Sequence, residues 1–321
     1  MEYVKISGET MGTYYNITCQ LSADHSVSRL KDQIDSLLID INDDVSTYIP
    51  TSVISQLNQS SRDFTFSSKE IHFIRNLEAS VDLYELTSGF FDPSVMPLVN
   101  YWGFGYTPKK AVEAADSVYI DSIMTFVGLD HIGYRIGNQE CIISDFTGQL
   151  DFSGIAKGYA VDQIGLLLST LGSDNYMIEI GGELALKGLN SKGELWMIGI
   201  NTPSSDAQLT DVIEYLSLSN VGLASSGNYR NYHEINGAKY GHTINPHTGY
   251  PEMNSLLAVS VVAPDCMTAD ALATACMTMG FERAIELVDN ISGVSACFFV
   301  GNADGKIVKI YSNGFIQYVA E

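Results

Sequence analysis

Apolar positions in this chain keep two different rhythms. Val27, Leu30, Ile34, Leu37, Ile41 and Val45 step by three or four, the spacing that lines one face of a helix. Ile71, Ile74, Leu77, Val81 and Tyr84 repeat that step. They follow Ser67 and Glu70 in capping-box spacing and stop before Gly89, which predicts a second helix with both ends marked. Residues 14–20 alternate between apolar and polar, and the opening Met1-Glu2-Tyr3-Val4-Lys5 is already strand-like. Such alternation is the period of a strand.

Farther along, Asp151-Phe-Ser-Gly-Ile-Ala-Lys-Gly158 follows a short strand and leads into a helix through Leu171. From Tyr176 the pattern turns to strands, at 176–180, 183–187, 195–201 and 213–218. Asn236-Gly237 is the dipeptide of a two-residue hairpin turn. A buried strand at 256–262, helices at 268–279 and 281–288, and strands at 296–300 and 306–311 close the series. Residues 90–105 hold two prolines and an aromatic cluster, and read as an ordered loop. Strands and helices mix without regular βαβ alternation, so the predicted class is α+β. No clean linker, repeat or low-complexity tract is visible, which predicts one large two-lobed unit over residues 1–321.

Composition narrows the partners. With 45% of 321 residues apolar, a substantial core is expected and global disorder is not. The formal net charge of −21, from 38 acidic and 17 basic residues, would repel a nucleic-acid backbone and excludes that partner class. It would also repel free anions. A phosphate ligand must then be received by a metal, by backbone N–H groups, or by a single placed cation such as Lys157. Five cysteines with no CxxC pair argue against zinc, exclude a complete disulfide framework and predict buried free thiols. No apolar run reaches the roughly 20 residues of a membrane span. The absence of a secretory apolar region leaves a cytoplasmic protein or one whose leader has been removed.

The candidate chemistry lies at a few places. Gly241-His-Thr-Ile-Asn-Pro-His-Thr-Gly-Tyr-Pro251 is a rigid turn that presents His242 as a proton acceptor; a half-buried structural histidine is the alternative. Asp270 and Thr274, four residues apart, share one helix face and offer the hard oxygens that Mg²⁺ prefers. The alternative is a residue at a helix N-terminus and a threonine bonded to the carbonyl four residues back. Small residues at Ala269, Ala271, Ala273 and Ala275 allow close approach to that helix. The 154–158 segment can receive phosphate at a helix N-terminus, although it lacks Walker A spacing, and Gly154 leaves its carbonyl open to a metal. Gly181-Gly182 marks either close backbone approach to a ligand or a bulge. The aromatic residues of 90–104 can stack a planar ring or form a core cluster.

Taken together, these segments resemble the ApbE-type FAD:protein FMN transferase family. The resemblance rests on Met11-Gly12-Thr13, Ser46-Thr-Tyr48 with Ser55-Gln-Leu-Asn58, Phe91-Asp-Pro-Ser94 with the 97–105 segment, 151–162, Glu179-Ile-Gly-Gly182, Ser226-Gly-Asn-Tyr229, 242–251 and 269–274. It implies a T-fold-related α+β unit with FAD held between its lobes. It implies FAD contacts at Met11, Tyr48, Phe90, Phe91, Asp92, Asp151, Lys157 and Ile244. Magnesium ligands are implied at Gly154 through its carbonyl and at Asp270 and Thr274 through their side chains, with His242 as proton acceptor. Ala273 stands where some members carry a further acidic ligand. The implied reaction is Mg²⁺-dependent transfer of FMN from FAD to a Thr or Ser hydroxyl of a target flavoprotein, with release of AMP. The chain lacks the acceptor motif of such targets, so it resembles the modifying enzyme. Two other activities stay open: a Mg²⁺-dependent FAD pyrophosphatase, and a non-catalytic FAD-binding lipoprotein. The resemblance favours a periplasmic, membrane-tethered or secreted protein with its leader removed.

Overall fold

The first apolar stripe forms helix α1 (Val27–Val45) in a computed structural model of the chain, with Leu30, Ile34, Leu38, Ile41 and Val45 buried. The structure describes residues 2–320 except 61–62, 68, 108–114, 137–139, 145, 205–210, 229–231, 236–237, 253, 303 and 305. Tyr229 and the Asn236-Gly237 turn therefore lie outside the described residues. The chain divides into two compact units, one of residues 1–39, 155–230 and 254–321, the other of 40–154 and 231–253.

The first unit is built on an eight-stranded sheet. Its strands are β1 (Glu2–Thr10), β2 (Thr13–Leu21), β6 (Tyr176–Ile180), β7 (Glu183–Lys187), β10 (Val221–Gly227), β13 (Leu256–Ala263), β14 (Ser295–Gly301) and β15 (Ile307–Tyr311), in the spatial order just given. Every pairing is antiparallel. A separate ribbon of β8 (Trp196–Asn201) and β9 (Val212–Leu218) contributes Trp196, Ile200, Leu216 and Leu218 to a core shared with Leu184, Leu186, Leu223, Val262 and Phe299. Helices α6 (Ala156–Thr170) and α7 (Cys266–Met279) pack on each other and on the sheet, followed by α8 (Phe281–Asp289). Helices gathered on an antiparallel sheet make the α+β class that the pattern predicts.

Gly181-Gly182 is not a bulge within a strand. Ile180 pairs with Glu183, so the two glycines are the whole turn of the β6–β7 hairpin. Their φ values of 62° and 109° are open to glycine at little cost.

The second unit holds the rest of the elements. They are α2 (Val53–Gln59), α3 (Ile71–Leu86), α4 (Met96–Tyr101), α5 (Ser117–Met124), the sheet β3 (Phe64–Ser67), β5 (Glu140–Ser144) and β4 (Gly133–Ile136), and the pair β11 (Tyr232–Ile235) and β12 (Ala238–Gly241). Phe66 stacks on Phe73 at a centroid distance of 4.3 Å, and Phe73 meets Phe152 edge-on at 5.4 Å. The expected loop at 90–105 is more regular than its prolines suggest. Asp92 caps a short 3-10 turn, Pro93–Val95, through the Ser94 N–H at 2.8 Å, and α4 follows directly. Pro93 and Pro97 fall in first turns, where the missing N–H has no intrahelical partner to lose.

All five cysteines are buried and free: Cys19, Cys266, Cys276 and Cys297 in the first unit and Cys141 in the second. No helix among the described residues is long and apolar enough to cross a membrane.

Candidate active site

In the first unit, α6 and α7 meet at Gly158. A Cβ there would overlap the Cys266 carbonyl oxygen and sit 2.7 Å from Met267 Cα, so only glycine permits this approach. Asp162, one turn along α6, accepts the N–H groups of Cys266 at 3.0 Å and Met267 at 2.8 Å. Asp265 caps the same α7 terminus through the Thr268 N–H at 2.7 Å. Burial raises the Asp162 carboxyl to about 7 against the pull of those two N–H bonds.

That close packing brings Asp270 of α7 beside the start of α6. Asp270 is 3% exposed, and its Oδ2 accepts the Gly158 N–H at 3.0 Å. Lys157 Nζ lies 3.9 Å from the same oxygen and donates to Glu183 Oε1 at 2.8 Å. Burial opposes the Lys157 ammonium, but the Asp270 and Glu183 carboxylates outweigh it and raise its pKa. Burial also raises Asp270, with Lys157 and the Gly158 N–H opposing. For Glu183 burial raises the carboxyl to about 7, with Lys157 pulling down and Asp270 pushing up. Lys157 is thus no free surface lysine; it is the cation between two buried carboxylates.

Thr274 stands one turn beyond Asp270 on α7. Thr87 and Thr278 turn their hydroxyls back onto helix carbonyls, at 2.6 and 2.8 Å. Thr274 is half-buried, and its hydroxyl shows no such bond to the Asp270 carbonyl among the described residues. A buried carboxylate and a half-buried hydroxyl one helical turn apart are donors that fit a hard divalent cation. Among the described residues no three His, Cys, Asp or Glu side chains form a metal cage. Met11 occupies the tip of the β1–β2 hairpin at φ 50°.

The second unit carries His242, Gly154 and the remaining predicted contacts. The 242–251 turn is held from several sides. Ile244 bridges to Pro251, the Asn245 N–H donates to the Tyr250 carbonyl at 2.9 Å, and Asn245 Nδ2 donates to Glu252 Oε2 at 2.8 Å. Buried Trp102 donates from Nε1 to the Gly249 carbonyl at 2.8 Å. Gly249 has φ 76°, and a Cβ on it would meet Ile120 Cγ2 at 2.6 Å. The half-buried His242 ring stands edge-on to Phe104 at 6.4 Å, and the His247 ring packs on Phe90 at 4.5 Å.

Asp151 accepts from Ser153 N at 3.0 Å and Ser153 Oγ at 2.6 Å, and its own N–H donates to the Pro93 carbonyl at 2.7 Å. That bond sets Asp151 next to the turn capped by Asp92. Asn58 fixes the preceding residue from both sides. Its Nδ2 donates to the Leu150 carbonyl at 2.8 Å and its Oδ1 accepts the Leu150 N–H at 2.7 Å. Tyr48 is 68% exposed, whereas Phe91 lies in the core and Phe90 is half-buried. Gly154 sits in the turn before α6.

Sequence reasoning passed over Glu183 and the clamp made by Asn58. Glu183 had a signal: it is a carboxylate at the first position of a short apolar strand, directly after a glycine pair. Asn58 was quoted as part of a motif, but its role depends on a partner 92 residues away.

Three comparisons bear on this arrangement. Residues 11–299 match the model of the ApbE family. The chain is 34% identical over 319 residues to the FAD:protein FMN transferase of Haemophilus influenzae, covering 97% of this chain and 90% of that protein. It is 39% identical over 291 residues to the FAD:protein FMN transferase of Vibrio cholerae, covering 90% and 85%. Among solved structures it resembles the flavin transferase ApbE from Vibrio cholerae, with a TM-score of 0.87, 36% identity and 99% of each chain covered. The apo form of the Pseudomonas stutzeri flavinyl transferase ApbE gives 0.86, 30% identity, and coverage of 99% and 96%.

Proposed function

The chain belongs to the ApbE family, and on that premise we propose that it transfers FMN from FAD to a Thr or Ser hydroxyl of a target flavoprotein. The acceptor oxygen bonds to the FMN-side phosphorus, the bond from that phosphorus to the bridging oxygen breaks, and AMP leaves carrying that oxygen. The acceptor proton passes to His242, whose turn is braced by Trp102 and Asn245. A positioned imidazole suits that task near neutral pH.

The observation that carries this reading is the grouping of half-buried Lys157 with buried Asp270, and of half-buried Thr274 one turn along the same helix. In a chain of net charge −21, FAD phosphates need a local source of positive charge. Asp270 and Thr274 would hold Mg²⁺, which supplies charge neutralisation on the diphosphate when bound. Lys157, kept protonated by its carboxylate neighbours, adds a fixed cation at the start of α6.

The test is AMP release from FAD and Mg²⁺, with and without a peptide bearing a Thr acceptor, scored by mass for added FMN. AMP together with a flavinylated peptide is the expected result. AMP with only free FMN would favour hydrolysis, and no AMP would reject catalysis. His242→Ala is expected to keep FAD binding and lose transfer by about 10²- to 10⁴-fold. An unchanged transfer rate would remove His242 as the proton acceptor.

A further inference from the structure

Glu183 opens β7 directly after the Gly181-Gly182 turn. Strand pleating puts it on the face of Ala185, away from Leu184 and Leu186, which join the β8–β9 core. The residue is 5% exposed. Its Oε1 accepts from Lys157 Nζ at 2.8 Å. Its Oε2 is buried and has no hydrogen-bond partner among the described residues. A buried acceptor left without a donor costs about 1–3 kcal/mol, and more when charged. Native folds keep few such atoms, and those they keep call for a reason.

The surroundings supply one. Lys157 Nζ also lies 3.9 Å from Asp270 Oδ2, so a single ammonium faces two buried carboxylates. The group holds more acceptor capacity than its own donors fill, and its full ionisation leaves one negative charge in excess. Ala273, beside Asp270 on α7, is fully buried and contributes no donor atom.

We propose that Glu183 supplies a second carboxylate, with Asp270, to a divalent-cation site, and that the Lys157 ammonium now holds the position both carboxylates share. Lys157 is then an internal competitor for the incoming cation. The inference rests on the flavin-transfer reading for its identification of Asp270 as a metal ligand.

Mn²⁺ titrated into the full chain without FAD, followed by the paramagnetic resonance of free Mn²⁺, tests it. Wild type, Glu183→Gln, Lys157→Met and Asp270→Asn are compared, each checked by thermal unfolding. Gln matches Glu in shape and keeps an acceptor for Lys157. Glu183→Gln is expected to weaken Mn²⁺ binding by roughly 10- to 100-fold, and Lys157→Met to strengthen it. Wild-type affinity in Glu183→Gln, with binding lost in Asp270→Asn, would overturn the proposal, as would a wild type that binds no Mn²⁺. Should Glu183→Gln fail to fold, Lys157→Met reads the same position with Glu183 intact; unchanged or weaker binding there also overturns it. The flavin-transfer reading fails by a different result, the absence of AMP release by wild type with FAD and Mg²⁺.

Discussion

Asp44 gives its carboxylate to a helix that is not its own. It lies in the last turn of α1, yet its Oδ2 accepts the His72 N–H at 3.0 Å and the Phe73 N–H at 3.3 Å at the start of α3. The residue preceding α3, Glu70, makes no side-chain cap bond to it; its carboxylate instead accepts from Ser67 N at 2.7 Å. Burial raises the Asp44 carboxyl to about 6, the two N–H bonds opposing, and the Glu70 and Asp40 charges raise it further. The folded pKa stands above the unfolded one, so the folded state keeps a proton that the unfolded state releases. The stabilisation from that proton is complete below about pH 4 and is lost as pH rises through about 6. Asp44→Asn keeps a neutral acceptor and removes the titration. The stability of this variant relative to wild type should therefore rise between about pH 4 and pH 6, by roughly 2 kcal/mol. Urea melts across that range would check it, and a difference independent of pH would refute it.

Whole elements were legible where one residue's neighbours in sequence decide its fate. The stripes at 27–45 and 71–84 became α1 and α3, and the alternation at 14–20 became β2. β10 was missed, because Val-Gly-Leu-Ala-Ser-Ser-Gly is too small and polar to announce a strand. It is a strand through its place between β7 and β13. Gly222 is required there, since the Asp265–Cys266 backbone passes where its Cβ would be. The candidate site divided the same way. Asp270, Thr274 and Lys157 showed as types and spacings, while Glu183 needed the hairpin to carry it to Lys157. The α6–α7 contact makes the element-scale prediction. Gly158→Ala would gain about 1 kcal/mol of helix propensity. The new methyl meets backbone at Cys266 and Met267, and overpacking costs about 1–3 kcal/mol, so a lower denaturation midpoint is expected. An unchanged or higher midpoint would show that the two helices separate freely at this point.

Across the whole molecule, the charge is strongly acidic, and Lys157 is a half-buried ammonium set between two buried carboxylates. Net charge of −21 favours solubility and disfavours anions in general, so on the proposed reading a phosphate would be received by one small group of residues. The division of the chain into two units falls inside α1, between residues 39 and 40. One helix therefore belongs to both units, and its melting touches both.

The cysteines turn that continuity into something a stopwatch reads. Burial pushes Cys19 and Cys141 up to about 11 and Cys276 and Cys297 up to about 12, and raises Cys266 as well. Only the thiolate attacks an aromatic disulfide reagent, so the native protein should give no burst of colour. Labelling should wait for the chain to open. With α1 spanning the division, Cys141 is expected to colour on the same time course as the other four. A separate phase worth one thiol would instead date the opening of the second unit on its own.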